Sequence, residues 1–151
     1  MLSALKKHIE TLLVPDANGD NSARREHGIR LATATLMAEV ARADDVLDVR
    51  ELAQLSDLLR ERFSLTEDET RMIVNDGLRE SEQSVSLQGF TRPLHEALTA
   101  DEKSGIIRML WQVAGADGTL DKHEDALIAR LGELLYVPRS EVLRQKHDAG
   151  F

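Results

Sequence analysis

The sequence predicts an all-α protein of seven or eight helices, and three observations carry that prediction. No segment alternates polar and apolar residues for long, whereas apolar residues recur every three or four positions through most of the chain. Aromatic residues make up only 3% of the sequence, and a core of Leu, Ala, Val and Ile suits packed helices better than a β-sandwich. One acidic motif between apolar-periodic segments also occurs twice. Residues 43–51 read Ala-Asp-Asp-Val-Leu-Asp-Val-Arg-Glu, and residues 116–124 read Ala-Asp-Gly-Thr-Leu-Asp-Lys-His-Glu. Ala43, Asp44, Leu47, Asp48 and Glu51 return 73 positions later as Ala116, Asp117, Leu120, Asp121 and Glu124. This doubling predicts an internal pseudo-two-fold repeat of helix–acidic turn–helix units. With 151 residues, a single domain is expected over 1–151, with an N-terminal helix and loop at 1–21 and the repeat-containing core at 22–148.

The elements follow in order. Leu2, Leu5, Ile9, Leu12 and Leu13 give a first amphipathic helix that stops at Pro15, and residues 16–22 are turn formers. A longer helix runs to about Ala43 with Ile29, Ala32, Leu36, Met37 and Val40 on one face. A third begins at Asp48 with Leu52, Leu55, Leu58, Leu59 and Phe63 as its buried stripe. Thr66-Glu67-Asp68-Glu69 is a capping box that opens a helix ending near Gly77, and residues 79–84 are polar without an obvious core position. Val85, Leu87, Phe90, Leu94 and Leu98 space another helix, in which Pro93 marks a kink or a start. A second capping box, Thr99 to Glu102, opens the helix that carries Ile106, Ile107, Leu110 and Val113. Asp121 opens the next, with Leu127, Ile128, Leu131, Leu134 and Leu135, and Pro138 suits the first turn of a short last helix. The repeat register extends beyond the turns, pairing Met37 with Leu110, Val40 with Val113, Leu55 with Ile128, Leu58 with Leu131 and Phe63 with Tyr136.

Composition narrows the function. The formal net charge is −8, from 27 acidic and 19 basic residues, which disfavours nucleic acid and favours cations or a basic protein partner. The chain has no cysteine, so disulfides, Cys-type zinc sites and thiol catalysis are excluded. No apolar run approaches the ~20 residues of a membrane span, and the N-terminal segment lacks the apolar core of a signal peptide, so a cytoplasmic location without membrane insertion is expected. There is no Gly-x-Ser-x-Gly, no glycine-rich phosphate loop and no His-Glu-x-x-His, so a non-catalytic role is expected. Asp16-Ala17-Asn18-Gly19-Asp20 resembles the start of a calcium loop, but Asn21 and His27 stand where an EF-hand needs Gly and Glu. His8, His27, His95, His123 and His147 are scattered, and Trp111 and Phe90 read as core.

The two acidic turns admit two readings. In the first, Asp48 and Asp121 are N-caps that accept from backbone N–H groups, and Glu51 and Glu124 reach back to complete capping boxes. Asp44 and Asp117 do not fit this scheme, because each follows the preceding helix, near the negative end of its dipole. In the second, a hard cation such as Ca²⁺ or Mg²⁺ draws oxygen ligands from Asp44, Asp48, Glu51, Asp117, Asp121 and Glu124. A buried Arg, or the N–H groups of the next helix start, would serve the two unexplained aspartates equally. A metal-dependent hydrolase at the same carboxylates would also need an enclosed pocket with an open coordination position.

With these residues in view, the chain resembles the TerB-like domains of tellurite-resistance proteins. The resemblance rests on Ala43 to Glu51 and Ala116 to Glu124, with support from the helix starts at Thr66 and Thr99, and covers roughly residues 22–148. It implies an all-helical, pseudo-symmetric bundle with a divalent-cation site at the acidic residues. It also implies a non-catalytic role in stress or tellurite-response assemblies, some at the inner membrane face; related domains occur in a membrane-anchored J-domain co-chaperone. The sequence departs from the pattern at Asp45, where Gly is expected, and Asp adopts a left-handed conformation less readily.

Overall fold

The computed structural model describes residues 22–43, 48–83 and 86–151. The helix expected at Leu2 to Val14, the segment Asp16 to Asp20, and Asp44, Asp45, Leu47 and Val85 lie outside the described residues. Among those described, the chain forms seven helices and no strand: α1 (Ser22–Ala41), α2 (Val49–Phe63), α3 (Glu67–Gln83), α4 (Gln88–Ala97), α5 (Ala100–Ala114), α6 (Lys122–Leu134) and α7 (Arg139–Asp148). The fold is all-α, as the periodicity predicts.

Helix α1 is the axis of the bundle. It packs on α2, α3, α4, α5 and α6, while α5 carries α6 and α7 on its flanks and also touches α2. The sequence suggests one buried face for α1, yet every residue from Leu31 to Ala38 is buried, with Val40 and Ala41. Alanine and threonine explain the difference. Their short side chains admit neighbouring helices on all sides, and the Thr35 hydroxyl is satisfied by the Leu31 carbonyl at 2.9 Å. Hydrogen bonds reinforce the α5–α7 seam. The Trp111 indole donates to the Val142 carbonyl at 3.1 Å, and Arg108 Nε donates to Gln145 Oε1 at 2.7 Å. Trp111 and Phe90 are core, as expected.

Both threonine capping boxes form. Thr66 N–H donates to Glu69 Oε1 at 3.0 Å and Glu69 N–H to Thr66 Oγ1 at 3.1 Å; the Thr99–Glu102 pair does the same at 2.9 and 3.2 Å. Two expectations need correction. Helix α3 does not end near Gly77 but continues to Gln83, with Glu80 and Ser81 buried. Gly77 is an interior residue whose missing side chain lets α3 lie on the α1 backbone: a Cβ there would sit 3.1 Å from the Ala34 carbonyl carbon and oxygen. The pairing of Phe63 with Tyr136 also fails. Phe63 is buried whereas Tyr136 is 74% exposed with φ of 58°. Helix α2 ends with Ser64 at positive φ and Leu65 N–H on the Arg60 carbonyl; α6 ends with Tyr136 at positive φ and Val137 N–H on the Gly132 carbonyl. The matching positions at the helix ends are therefore Ser64 with Tyr136 and Leu65 with Val137, one step off the register of the acidic turns.

Candidate functional site: the acidic turns

Each turn begins where a helix has run out of partners for its last carbonyls and ends where the next must satisfy its first N–H groups. Asp48 adopts an extended backbone and its Oδ1 accepts from Arg50 N–H at 2.7 Å; Asp121 does the same for His123 N–H, also at 2.7 Å. Both aspartates are N-caps, as the cap reading requires. Glu51 and Glu124 are 3% and 2% exposed, so these carboxyl groups turn into the bundle rather than join an open acidic face.

Asp117 has a local explanation that the sequence reading missed. Its Oδ1 accepts from Thr119 N–H at 3.0 Å and from the Thr119 hydroxyl at 3.1 Å, closing an Asx turn over Gly118 at φ of 89°. Asp44 lies outside the described residues. A second missed residue is Arg50. Its Nη2 lies 3.4 Å from Asp48 Oδ2 and its Nε 3.4 Å from Asp48 Oδ1. The Arg50 side-chain hydrogen bond, then its backbone N–H, hold the Asp48 carboxyl below its usual range. Conversely, Asp48 raises the Arg50 guanidinium above its ordinary value, and the negative charge of Asp117 adds to the effect. Asp117 belongs to the other turn, so Arg50 links the two turns electrostatically. A signal for it existed in the sequence: the same step of the second motif carries His123, also a basic residue type.

The donor set is all oxygen, which suits a hard cation. Among the described residues, however, no group of three or more His, Cys, Asp or Glu side chains is arranged to hold a metal. Asp48 and Asp117 already have hydrogen-bond partners, and Asp121 keeps one oxygen beyond its cap bond.

Among the described residues, seven packed helices, with aspartate caps at the starts of α2 and α6, define a helical module. The tellurite resistance protein TerB family model matches residues 30–147, and the chain belongs to that family. Comparison with curated proteins and with solved structures returned no match. No helix among the described residues is long and apolar enough to cross a membrane.

Proposed function

We propose that the chain is a non-catalytic binding module of the tellurite and stress response, working in the cytoplasm through a protein partner. On this reading its acidic turns take a divalent cation, Ca²⁺ or Mg²⁺, drawing on Asp44, Asp48, Glu51, Asp117, Asp121 and Glu124, with Asp44 and Asp117 as the central ligands and Asp48 and Asp121 also capping the helices that follow. The observation that supports it most is the influence of Asp117 on Arg50, a residue of the opposite turn. It supports a reading in which the negative charge of Asp117 and of Asp48 bears on the region where Arg50 stands. A cation there competes with Arg50.

The competing reading, that the turns are structural caps and nothing else, is favoured by the cap bonds of Asp48 and Asp121 and the Asx turn of Asp117. Thermal unfolding of metal-stripped protein separates the two. With cation at a hundredfold excess over its Kd, one site adds about 2.7 kcal/mol, or roughly 5–10 °C for a chain of this size. The cation reading expects a selective rise in midpoint with Ca²⁺ or Mg²⁺, a larger rise in Arg50→Ala, and none in the Asp44→Ala/Asp117→Ala double variant. Midpoints that ignore every divalent cation in both wild type and Arg50→Ala leave the caps as the whole role of the turns.

A further inference from the structure

The end of α7 touches the chain on both sides of the second acidic turn. Beyond the helix, Gly150 holds φ of 101°, its N–H donates to the His147 carbonyl at 2.9 Å, and the Phe151 N–H donates to the Lys146 carbonyl at 3.1 Å. This reversal brings the Phe151 ring onto Gly115, the residue that caps α5 just before Ala116. A Cβ built on Gly115 would meet Cε1 of that ring at 2.5 Å and Cε2 at 2.6 Å, with Cζ closer still. Gly115 has φ of −94° and ψ of 13°, which alanine also adopts, so its backbone does not require glycine. The approach of the ring does.

On the other side of the turn the contact is ionic. Lys146, in the last turn of α7, places Nζ 2.8 Å from Oδ2 of Asp125 in the first turn of α6, and 5.1 Å from the centroid of the Trp111 ring. The hydrogen bond between Phe151 and Lys146 joins the two contacts into one unit. Between them the acidic turn keeps its own bonds: Gly118 N–H donates to the Gly115 carbonyl at 3.0 Å, and Thr119 N–H to Asp117 at 3.0 Å. Gly115 therefore both seats the ring and anchors the turn. The position 73 residues earlier is Arg42, which instead reaches Glu82 of α3 at 3.3 Å. Phe151 is 39% exposed, and the Lys146 side chain is also partly open to solvent. Contacts so placed open at lower free energy than a buried core does.

We propose that the end of α7 is a latch on the second acidic turn. Closed, Phe151 on Gly115 and Lys146 on Asp125 hold both ends of the turn and keep its internal bonds in place. Open, the turn from Ala116 to Leu120 loosens while the helices stay packed. The latch acts on the turn whatever the turn binds, so it does not rest on the cation reading.

Amide hydrogen exchange of the full chain, read by NMR, tests this. Gly118 and Thr119 report on the second turn, and Arg50, whose N–H is bonded to Asp48, is the control in the first. Phe151→Ala removes the ring, and Gly115→Ala fills its seat. Each speeds exchange at Gly118 and Thr119 severalfold and leaves Arg50 unchanged. The double variant matches Phe151→Ala, because the new Cβ has no ring left to displace. Gly115→Ala accordingly lowers the thermal midpoint of the wild type, but not that of Phe151→Ala, where losing a glycine only restricts the unfolded chain. Wild-type exchange at Gly118 and Thr119 in both single variants overturns the proposal. Acceleration that reaches Arg50 equally also overturns it, since that is general destabilisation. So do additive effects in the double variant, which would assign the two residues to separate contacts.

Discussion

Three helical glycines give a sharp test of how closely the helices approach. Replacing an interior helical glycine by alanine normally stabilises a helix by about 1 kcal/mol, because it removes backbone freedom from the unfolded chain. Gly105 in α5 has nothing within 4 Å of where its Cβ would be, so Gly105→Ala should show that full gain. Gly77 in α3 has the same propensity term, but a Cβ there would lie 3.1 Å from the Ala34 carbonyl carbon and oxygen and 3.3 Å from Thr35 N. These are backbone atoms of the central helix, and they cannot rotate away as a side chain can. Overpacking a tight contact costs about 1–3 kcal/mol. The gap between the two variants is therefore expected at about 1–3 kcal/mol, with Gly105→Ala more stable than wild type and Gly77→Ala at or below it.

Urea unfolding followed by Trp111 fluorescence measures this directly, since Trp111 is 1% exposed and its indole nitrogen is bonded to α7. Equal m-values are required, so that midpoints report stability and not a change in the denatured state. Gly132→Ala is the tightest approach of the three. Its new Cβ would meet Val142 Cγ2 at 2.6 Å, and that valine is buried and stiff at χ1, so α7 must give way and the variant should also fall at or below wild type. If Gly77→Ala stabilises the protein as much as Gly105→Ala does, the close α1–α3 approach is wrong, and with it the role assigned to the short residues of α1.

Two further outcomes follow from local geometry. Thr99→Ala removes the hydroxyl that accepts from Glu102 N–H at 3.2 Å and should lower stability by about 1 kcal/mol in the same urea assay; Thr99→Ser should restore most of it. Glu141 should contribute to the acid limb of stability. Hydrogen bonds from Gln145, Arg144 and Ser104, in that order, hold its carboxyl below the ordinary value of 4.5. A depressed folded-state pKa means stability that is present above pH 4.5 and lost as pH falls through the folded-state value. Glu141→Gln should therefore lower the urea midpoint near neutral pH and converge on wild type in acid. A constant difference across that range would show that its partners do not favour the charged form.

How much of this was legible in the sequence depended on the range of the interaction. Capping boxes at Thr66 and Thr99 and N-caps at Asp48 and Asp121 are settled within four residues, so a linear reading finds them. The resemblance to the family likewise rests on short motifs, at Ala43 to Glu51 and Ala116 to Glu124. Gly77 was misread because a glycine that ends a helix and a glycine that admits a neighbouring helix look alike until Ala34 is placed against it. Glu80 and Ser81 read as solvated because the sequence shows their polarity and not the packing that buries them. Tyr136 was matched to Phe63 because both are aromatic at the repeat spacing, whereas α2 runs 15 residues and α6 only 13. The role of Arg50 depends on the opposite turn, and no local window contains both.

The two halves of each acidic turn have opposite electrostatics, which constrains any cation bound there. Asp48 and Asp121 cap helix N-termini, where the N–H groups and the dipole present partial positive charge. A carboxylate is stabilised at that end, but a cation brought to it meets the same positive field. Asp117 stands at the other half, beyond the C-terminus of α5, where unsatisfied carbonyls and the negative dipole end favour a cation and disfavour an unpaired acid. The Asx bond uses only Oδ1 of Asp117, so one oxygen still faces that requirement. On the proposed cation reading, capping and coordination fall to neighbouring residues, and mutation should separate them. Asp121→Ala should lower the stability of metal-free protein by about 1 kcal/mol and leave any cation-induced increment intact. Asp117→Ala should change metal-free stability less and diminish the increment. The reverse assignment, with the increment lost at Asp121 and kept at Asp117, would place the cation at the helix starts, against the dipole, and would refute this division of labour.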